Sequence, residues 1–490
     1  MPKETKPTPP AANNGGTPAC DPEASCCPTD FDLSPCKIVK VNGTLQIKAT
    51  EKEGFPAGSY EWTTSSDKIT LQNDKSSTVT VKAKDKPGSG KDSETITVKR
   101  TAKGCADITK EVKVTVAKIT FSASTKQLYG YDDFDTPADT TDDHVCVKKS
   151  DKTFVRVKIE GGAVGTDFDW VCEPADPCTP GAPDGSASFD LQLDGGAFDK
   201  RETTLHARSK CPGKESFASI KVHVYKEKFV EVVVAKIEDK KVAGTGLHRP
   251  GMDAAAHTTK VNEKLKEAVV KFDITNYDPK NGVTDVNYDL DGNGALSFDI
   301  NASGGAELTA IKNAITGTGT KTRIAIVKRL KSYYYLSDKA SIGDTVLKIR
   351  GGTVFDYAGF PNVPLDLGAK QEPVTVSSVS GGTITLSSGV TKEHAVGAPI
   401  EFIAAGWSSD PIIITEENAS DGSLLAEKDI LWAIPHEVGH RVLTLADVND
   451  TTNFMNSAMG PTDYRLRYCP RVKTYTPTQK ENQWEKIPRT

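Results

Sequence analysis

The sequence predicts a multidomain protein: two tandem all-β sandwiches followed by an α+β domain with a small β insertion. Three observations predict it. Residues 36–117 alternate apolar and polar side chains in short runs, and residues 118–225 repeat that layout loosely. From about residue 226 helical spacing enters the pattern. Near the C-terminal end a pentad with two histidines follows an apolar run. A chain of 490 residues has room for three or more domains.

Residues 1–35 are rich in Pro, Thr, Asn and Gly and read as a flexible leader. Then come Thr44-Leu-Gln-Ile-Lys-Ala, Thr78-Val-Thr-Val-Lys-Ala, Thr95-Ile-Thr-Val and Val112-Lys-Val-Thr-Val. Their period of two is that of half-buried strands. Trp62 is the expected core aromatic. The second unit echoes the first: Asp167-Phe-Asp-Trp170 mirrors Ser59-Tyr-Glu-Trp62, and Cys211 before Ser219-Ile-Lys-Val mirrors Cys105 before Glu111-Val-Lys-Val. Both units are expected to be immunoglobulin-like, with a spacing or adhesion role.

Nine of the ten cysteines lie before residue 212, with Cys469 the exception. Clustering in small β-rich domains predicts disulfides and an oxidising destination, such as a target-cell periplasm. The expected pairs are Cys36 with Cys105 and Cys146 with Cys211.

The third region, 226–490, opens with the strand Phe229-Val-Glu-Val-Val-Val. A helix is predicted over residues 253–270, with Val261, Leu265 and Val269 near the 3.6-residue period. Thr322-Arg-Ile-Ala-Ile-Val is a further strand. Residues 337–404 form short strands between Gly-rich turns, and read as a β module inserted before the C-terminal helix.

That helix carries His436-Glu-Val-Gly-His440, an HExxH motif. Residues four apart on a helix lie about 40° apart, so both imidazoles face one ion. Glu437, about 100° round from His436, reaches a water on that ion and serves as general base. Pro435 removes a helical donor and marks the first turn of the motif helix if the helix starts there. Catalytic zinc takes three protein ligands, and the third has two candidates. Glu481 is preferred, on a short terminal helix that begins near Pro477 and also carries Glu485. Asp447 is the alternative. The metzincin pattern HExxHxxGxxH/D bends the chain at a Gly, whereas Arg441-Val-Leu-Thr-Leu-Ala-Asp447 has no Gly and is one residue longer. A helix continuing past His440 carries Asp447 about 10 Å along its axis. In favour of Asp447, Asn453-Phe-Met455-Asn456 resembles a Met-turn. Tyr464 or Tyr468 is the candidate oxyanion stabiliser.

Asp289-Leu-Asp291-Gly-Asn293-Gly294 has oxygens at positions 1, 3 and 5 of a calcium loop. Position 12 is Ile300 rather than Glu, and Asp-Gly-Asn-Gly is also a good hairpin turn. Calcium at Asp289, Asp291 and Asn293 is therefore a secondary expectation. The net charge of −5 and the lack of a basic stripe argue against nucleic acid as a partner. No apolar run is long enough for a membrane span, and no apolar segment follows Met1 as in a secretory signal.

With HEVGH, the runs Asn453-Phe-Met-Asn-Ser-Ala-Met, Arg465-Leu-Arg-Tyr468 and Gln483-Trp484-Glu-Lys-Ile-Pro-Arg489 resemble the zincin-like metallopeptidase domain of some type VI secretion spike (VgrG) proteins and related bacterial effectors. The likeness covers 410–490 well and 226–336 in outline. It implies zinc held by His436, His440 and Glu481, with Glu437 as base. It also implies a protein or peptide substrate, and a secreted effector delivered by a secretion-apparatus carrier. No spike domain accompanies it here, which leaves the delivery route open. The expected function is a zinc metallopeptidase. The alternatives are an immunoglobulin-like adhesion protein with a degenerate zincin domain, or a zinc hydrolase acting on another bond.

Overall fold

A computed structural model describes residues 27–51, 55–132, 143–211, 213–299, 305–350, 360–366, 368–404, 406–407, 410–417, 423–445, 454–455, 484 and 487–489. The first sandwich uses β1 (Asp32–Leu33), β2 (Ile38–Lys40), β3 (Thr44–Thr50), β4 (Ser59–Thr64), β5 (Ile69–Gln72), β6 (Thr78–Ala83), β7 (Glu94–Thr101) and the first part of β8 (Ile108–Ala123). One sheet runs β1-β3-β6-β5, and the facing sheet contains β8-β7-β4. Trp62 is buried in the core between them, as expected. Phe31 is also in that core and β1 begins at Asp32. The leader therefore gives way to folded chain before residue 35, because Phe31 fills the sandwich end.

The second sandwich continues with β9 (Tyr131–Asp132), β10 (His144–Lys148), β11 (Lys152–Glu160), β12 (Phe168–Glu173), β13 (Cys178–Pro180), β14 (Ser188–Gly195), β15 (Arg201–Ser209) and β16 (Ser216–Tyr225). Its sheets are β13-β14-β11-β8 and β12-β15-β16-β10-β9. Strand β8 thus belongs to both sandwiches, pairing β7 through Ile108–Val114 and β11 through Lys118–Ala123. Its burial pattern explains how. Val112, Val114 and Val116 enter the first core, whereas Ala117, Ile119 and Phe121 enter the second. Successive side chains point to opposite faces of a strand, so the change from even to odd positions lets one strand serve two cores. A boundary at 117/118 falls inside this strand.

The disulfides differ from the expected pairs. Cys27 joins Cys105, and Cys36 joins Cys211, with Cα–Cα distances of 5.4 and 5.3 Å. Cys146 is a fully buried thiol. The shared strand is the physical reason: it brings the start of β2 beside the end of β15. Cys36–Cys211 therefore staples the two sandwiches together, and the Lys91–Asp167 ion pair (3.2 Å) crosses the same seam. Two disulfides accord with an oxidising environment.

The third region begins with β17 (Lys228–Glu238), α1 (Thr258–Leu265), β18 (Val270–Asn276), β19 (Thr284–Asp285), β20 (Leu296–Asp299), α2 (Ala306–Ala314) and β21 (Thr322–Val327). The predicted 253–270 helix is shorter in the structure. It is flanked by 3-10 turns, and Val269 takes a left-handed φ of 58° that launches β18. The inserted module comprises β22 (Leu330–Tyr335), β23 (Val346–Lys348), β24 (Phe360–Leu365), β25 (Glu372–Ser380), β26 (Thr383–Leu386) and β27 (Pro399–Ala404). It starts at Leu330 rather than 337 because β22 pairs along its whole length with β27. Tyr334, Leu365, Val376, Ile400 and Phe402 give it a core of its own.

The chain then returns through β28 (Gly406–Trp407), β29 (Ile412–Thr415) and α3 (Glu427–Arg441). The sheet order is β18-β17-β21-β29-β28, with all neighbours parallel except the β28 edge. Val232, Val234, Ile324, Ile326, Ile412 and Ile414 share a core with α1 and α3. Ala235, Ala325, Val327 and Ile413 face the other way, towards α2. Apolar residues on both faces are what a covered parallel strand requires. This layering is of the α/β kind rather than the segregated α+β kind expected from the sequence. Among the described residues no helix is long and apolar enough to cross a membrane.

Trp484 and Arg489 plug the seam between the second sandwich and this sheet. Trp484 is 1% exposed and packs so closely on Gly130 that a Cβ there would meet its ring at 2.6 Å. Arg489 lies over the Tyr225 ring at 4.2 Å and donates to the carbonyls of Lys226 (2.7 Å) and Ala268 (2.6 Å). Truncating a large buried aromatic costs about 3–5 kcal/mol. Trp484→Ala is therefore expected to lower the urea midpoint of the third region, read by fluorescence and circular dichroism, and Trp484→Phe to lower it less.

Candidate metal centre

Helix α3 is anchored by Ile430, Ile434 and Val438, a stripe at i, i+4 and i+8 buried against the sheet. Glu427 and Asp429 in its first turn suit the positive end of the helix dipole. Pro435 lies inside the helix, not at its start, so the motif helix runs unbroken from Glu427. All three motif residues are half-buried; the two histidines lie on the side away from that stripe, and Glu437 lies between them and Ile430.

The two imidazoles meet at right angles, with an interplanar angle of 85°. His436 Nδ1 is 3.0 Å from the Phe454 carbonyl, and His440 Nδ1 is 2.9 Å from the Leu445 carbonyl. A carbonyl oxygen only accepts, so each Nδ1 carries the hydrogen. The Nε2 atoms then turn their lone pairs towards each other, 3.2 Å apart. Two neutral acceptors at that distance repel unless a cation sits between them. Two nitrogens at zinc-ligand distance in a tetrahedral shell are separated by about 3.3 Å. Backbone carbonyls on the remote ring nitrogens are the usual outer partners of metal-bound histidines.

The chain after His440 supplies those carbonyls. The helix ends at Arg441, Thr444 adopts a left-handed φ of 56°, and the Leu445 amide returns to the Gly439 carbonyl at 3.1 Å. The helix does not continue past Arg441, so the axial distance expected for a continuing helix does not apply, and Asp447 itself lies outside the described residues. Phe454 and Met455 are buried beneath the helix. A Cβ on Gly439 would lie 2.5 Å from Met455 Sδ and 3.3 Å from Phe454 Cε2.

His436, Glu437 and His440 are thus brought to one helix face. Asp447, Glu481, Glu485, Tyr464 and Tyr468 lie outside the described residues. Sequence reading missed the carbonyls of Leu445 and Phe454. Backbone acceptors have no residue signature, although the Met-turn resemblance pointed to the Phe454 segment.

The Asp289 loop is also formed. Asp289 and Asp291 converge with Glu307, the second residue of α2, which the sequence reading did not include; their carboxylate oxygens lie within 4.8 Å of one another. Asp289 accepts from the amides of Gly292 (2.8 Å) and Gly294 (2.7 Å), and Glu307 from those of Leu290 (2.8 Å) and Ser297 (2.6 Å). Asn293 turns its side-chain amide to Asp291 and Ser297. These amides hold the turn, and burial pushes the Glu307 carboxyl above the usual range.

No family model and no curated protein matches the chain. Among solved structures, 386 chains match. The insect immune protein hemolin is 13% identical at a TM-score of 0.17, over 40% of this chain and 46% of that one. The tandem Ig repeats of Dlar are 10% identical at a TM-score of 0.16, over 40% of this chain and 97% of theirs. The CbhA fibronectin(III)-like modules of Clostridium thermocellum are 10% identical at a TM-score of 0.20, over 40% and 94%. The chain therefore spans about half of the hemolin chain it matches. At these scores the likenesses say nothing of function, and the sandwich architecture stands on the strand order itself.

Overpacking a tight contact costs about 1–3 kcal/mol. Gly439→Ala is expected to destabilise the third region by that amount and to weaken metal binding, because Met455 must shift under the histidines. Thermal unfolding with and without added zinc measures both effects.

Proposed function

We propose that the α3 centre binds zinc and that the protein is a zinc-dependent peptidase. One observation carries the reading: the His436 and His440 Nε2 atoms converge at 3.2 Å while both Nδ1 atoms are tied to carbonyls. That donor set suits zinc, which takes imidazole nitrogen readily. Zinc, when bound, supplies a Lewis acid and brings the pKa of its water to about 7. Glu437 would take a proton from the attacking water and pass it to the leaving amine of the cleaved bond.

The third ligand is Asp447 in this reading, with Glu481 the competitor. The turn at Thr444 supports Asp447. Thr444-Leu-Ala-Asp447 keeps the interval from turn residue to ligand of the Gly-x-x-His/Asp pattern, and the extra residue falls before the turn. Met455 packed under Gly439 supports the Met-turn resemblance. The two stapled sandwiches act as a rigid spacer for the catalytic domain, and a secretion-apparatus carrier is the partner to seek for a secreted effector.

Purified protein is expected to hold one zinc per chain, lost in His436→Ala and His440→Ala. Glu437→Gln is expected to keep the zinc and lose peptide hydrolysis by at least ~100-fold. Full hydrolysis by that variant sinks the mechanism, and zinc binding without hydrolysis of any peptide points to another scissile bond. Asp447→Ala and Glu481→Ala, compared by zinc affinity, identify the third ligand: its loss is expected to weaken binding, whereas the other variant stays near wild type.

A further inference from the structure

The second sandwich contains three cysteines outside the disulfides already described: Cys146 in β10, Cys172 and Cys178. Cys172 lies in β12, opposite Leu205 of β15, and Cys178 lies in β13, opposite Gly195 of β14. These strands belong to different sheets of the sandwich. Both side chains enter the same core, at 4% and 1% exposure, with Trp170, Phe189 and Leu205. Strand β12 packs against β13, and the Cys172 side chain is near enough to push the Cys178 thiol up. Five residues, Glu173-Pro-Ala-Asp-Pro177, connect them.

We propose that Cys172 and Cys178 form a third disulfide, which ties the two sheets of the second sandwich across its core. The chain already closes Cys27–Cys105 and Cys36–Cys211, so the setting in which it matures oxidises thiols. A thiol pair on contacting strands of one core, joined by a short connection, closes with little chain rearrangement. The oxidant is a small-molecule disulfide or a protein dithiol oxidase in its disulfide form. One protein thiolate attacks the oxidant's disulfide and forms a mixed disulfide, releasing one oxidant thiolate. The second protein thiolate attacks the protein-side sulfur and releases the other. Two protein thiols lose two electrons and two protons, and the oxidant becomes two thiols.

Timing follows from burial. Within the finished sandwich both sulfurs are shielded from any oxidant, and the neighbouring Cys172 side chain together with burial pushes the Cys178 thiol up, away from the reactive thiolate. Closure therefore belongs to folding, before β12 and β13 pack together.

The test refolds the reduced, denatured full chain in a buffer of reduced and oxidised glutathione, then labels remaining thiols with iodoacetamide under denaturant. Peptide mapping by mass spectrometry reads each cysteine. The peptide spanning Cys172 and Cys178 is expected to be unlabelled and internally bonded in most molecules. In Cys178→Ser, Cys172 is expected to become labelled. Labelling of both residues in wild-type protein whose other two disulfides have closed overturns the proposal, as does a bond from either residue to any other cysteine. The wild-type map needs no variant, so the answer does not depend on whether Cys178→Ser folds.

Discussion

The carbonyls of Leu445 and Phe454 each accept a hydrogen from an Nδ1 of the α3 histidines, and this fixes the tautomer of both rings. With the Nδ1 hydrogens committed, the Nε2 lone pairs face each other, and helix geometry brings them to 3.2 Å. A cation between them resolves the repulsion. Both carbonyls come from chain that follows the helix. The centre therefore depends on the reversal at Thr444 and on Phe454 and Met455 lying under Gly439.

The rest of the third region serves that arrangement. Ile430, Ile434 and Val438 are buried in the core shared with the sheet, and the opposite helix face is left for His436 and His440, with Glu437 at its edge. Gly439 is needed at its position because the buried side of the helix passes too close to Met455 for a side chain. Trp484 and Arg489 fasten the chain end into the seam with the second sandwich. The sandwiches form a stiff pair, joined by a common strand and by Cys36–Cys211.

Much of this was legible in the sequence, for physical reasons that differ by region. Thr78–Ala83 and Val112–Val116 alternate in polarity because one face of each strand is solvated, and such strands declare themselves. The parity change at Val116-Ala117 is visible in the sequence, but it reads as a domain boundary unless one strand is allowed two cores. Val232–Ala235 and Ile412–Ile414 are apolar on both faces, so they indicate strands without indicating the parallel order. The disulfide partners depended on the fold of the shared strand and could not be deduced from spacing. The HExxH pentad was legible because both histidines and Glu437 share one helix, whereas Glu307 joins Asp289 from another element and has no local signal. The turn at Thr444 was hidden because Thr is not a residue that announces a left-handed conformation.

The central claim is that His436 and His440 share one metal ion through their Nε2 atoms. X-ray absorption at the zinc edge of the metal-loaded full chain tests it most directly. The account predicts two imidazole nitrogens at about 2.0–2.1 Å, completed by oxygen donors. A shell with thiolate sulfur at about 2.3 Å, or with fewer than two imidazoles, would contradict it.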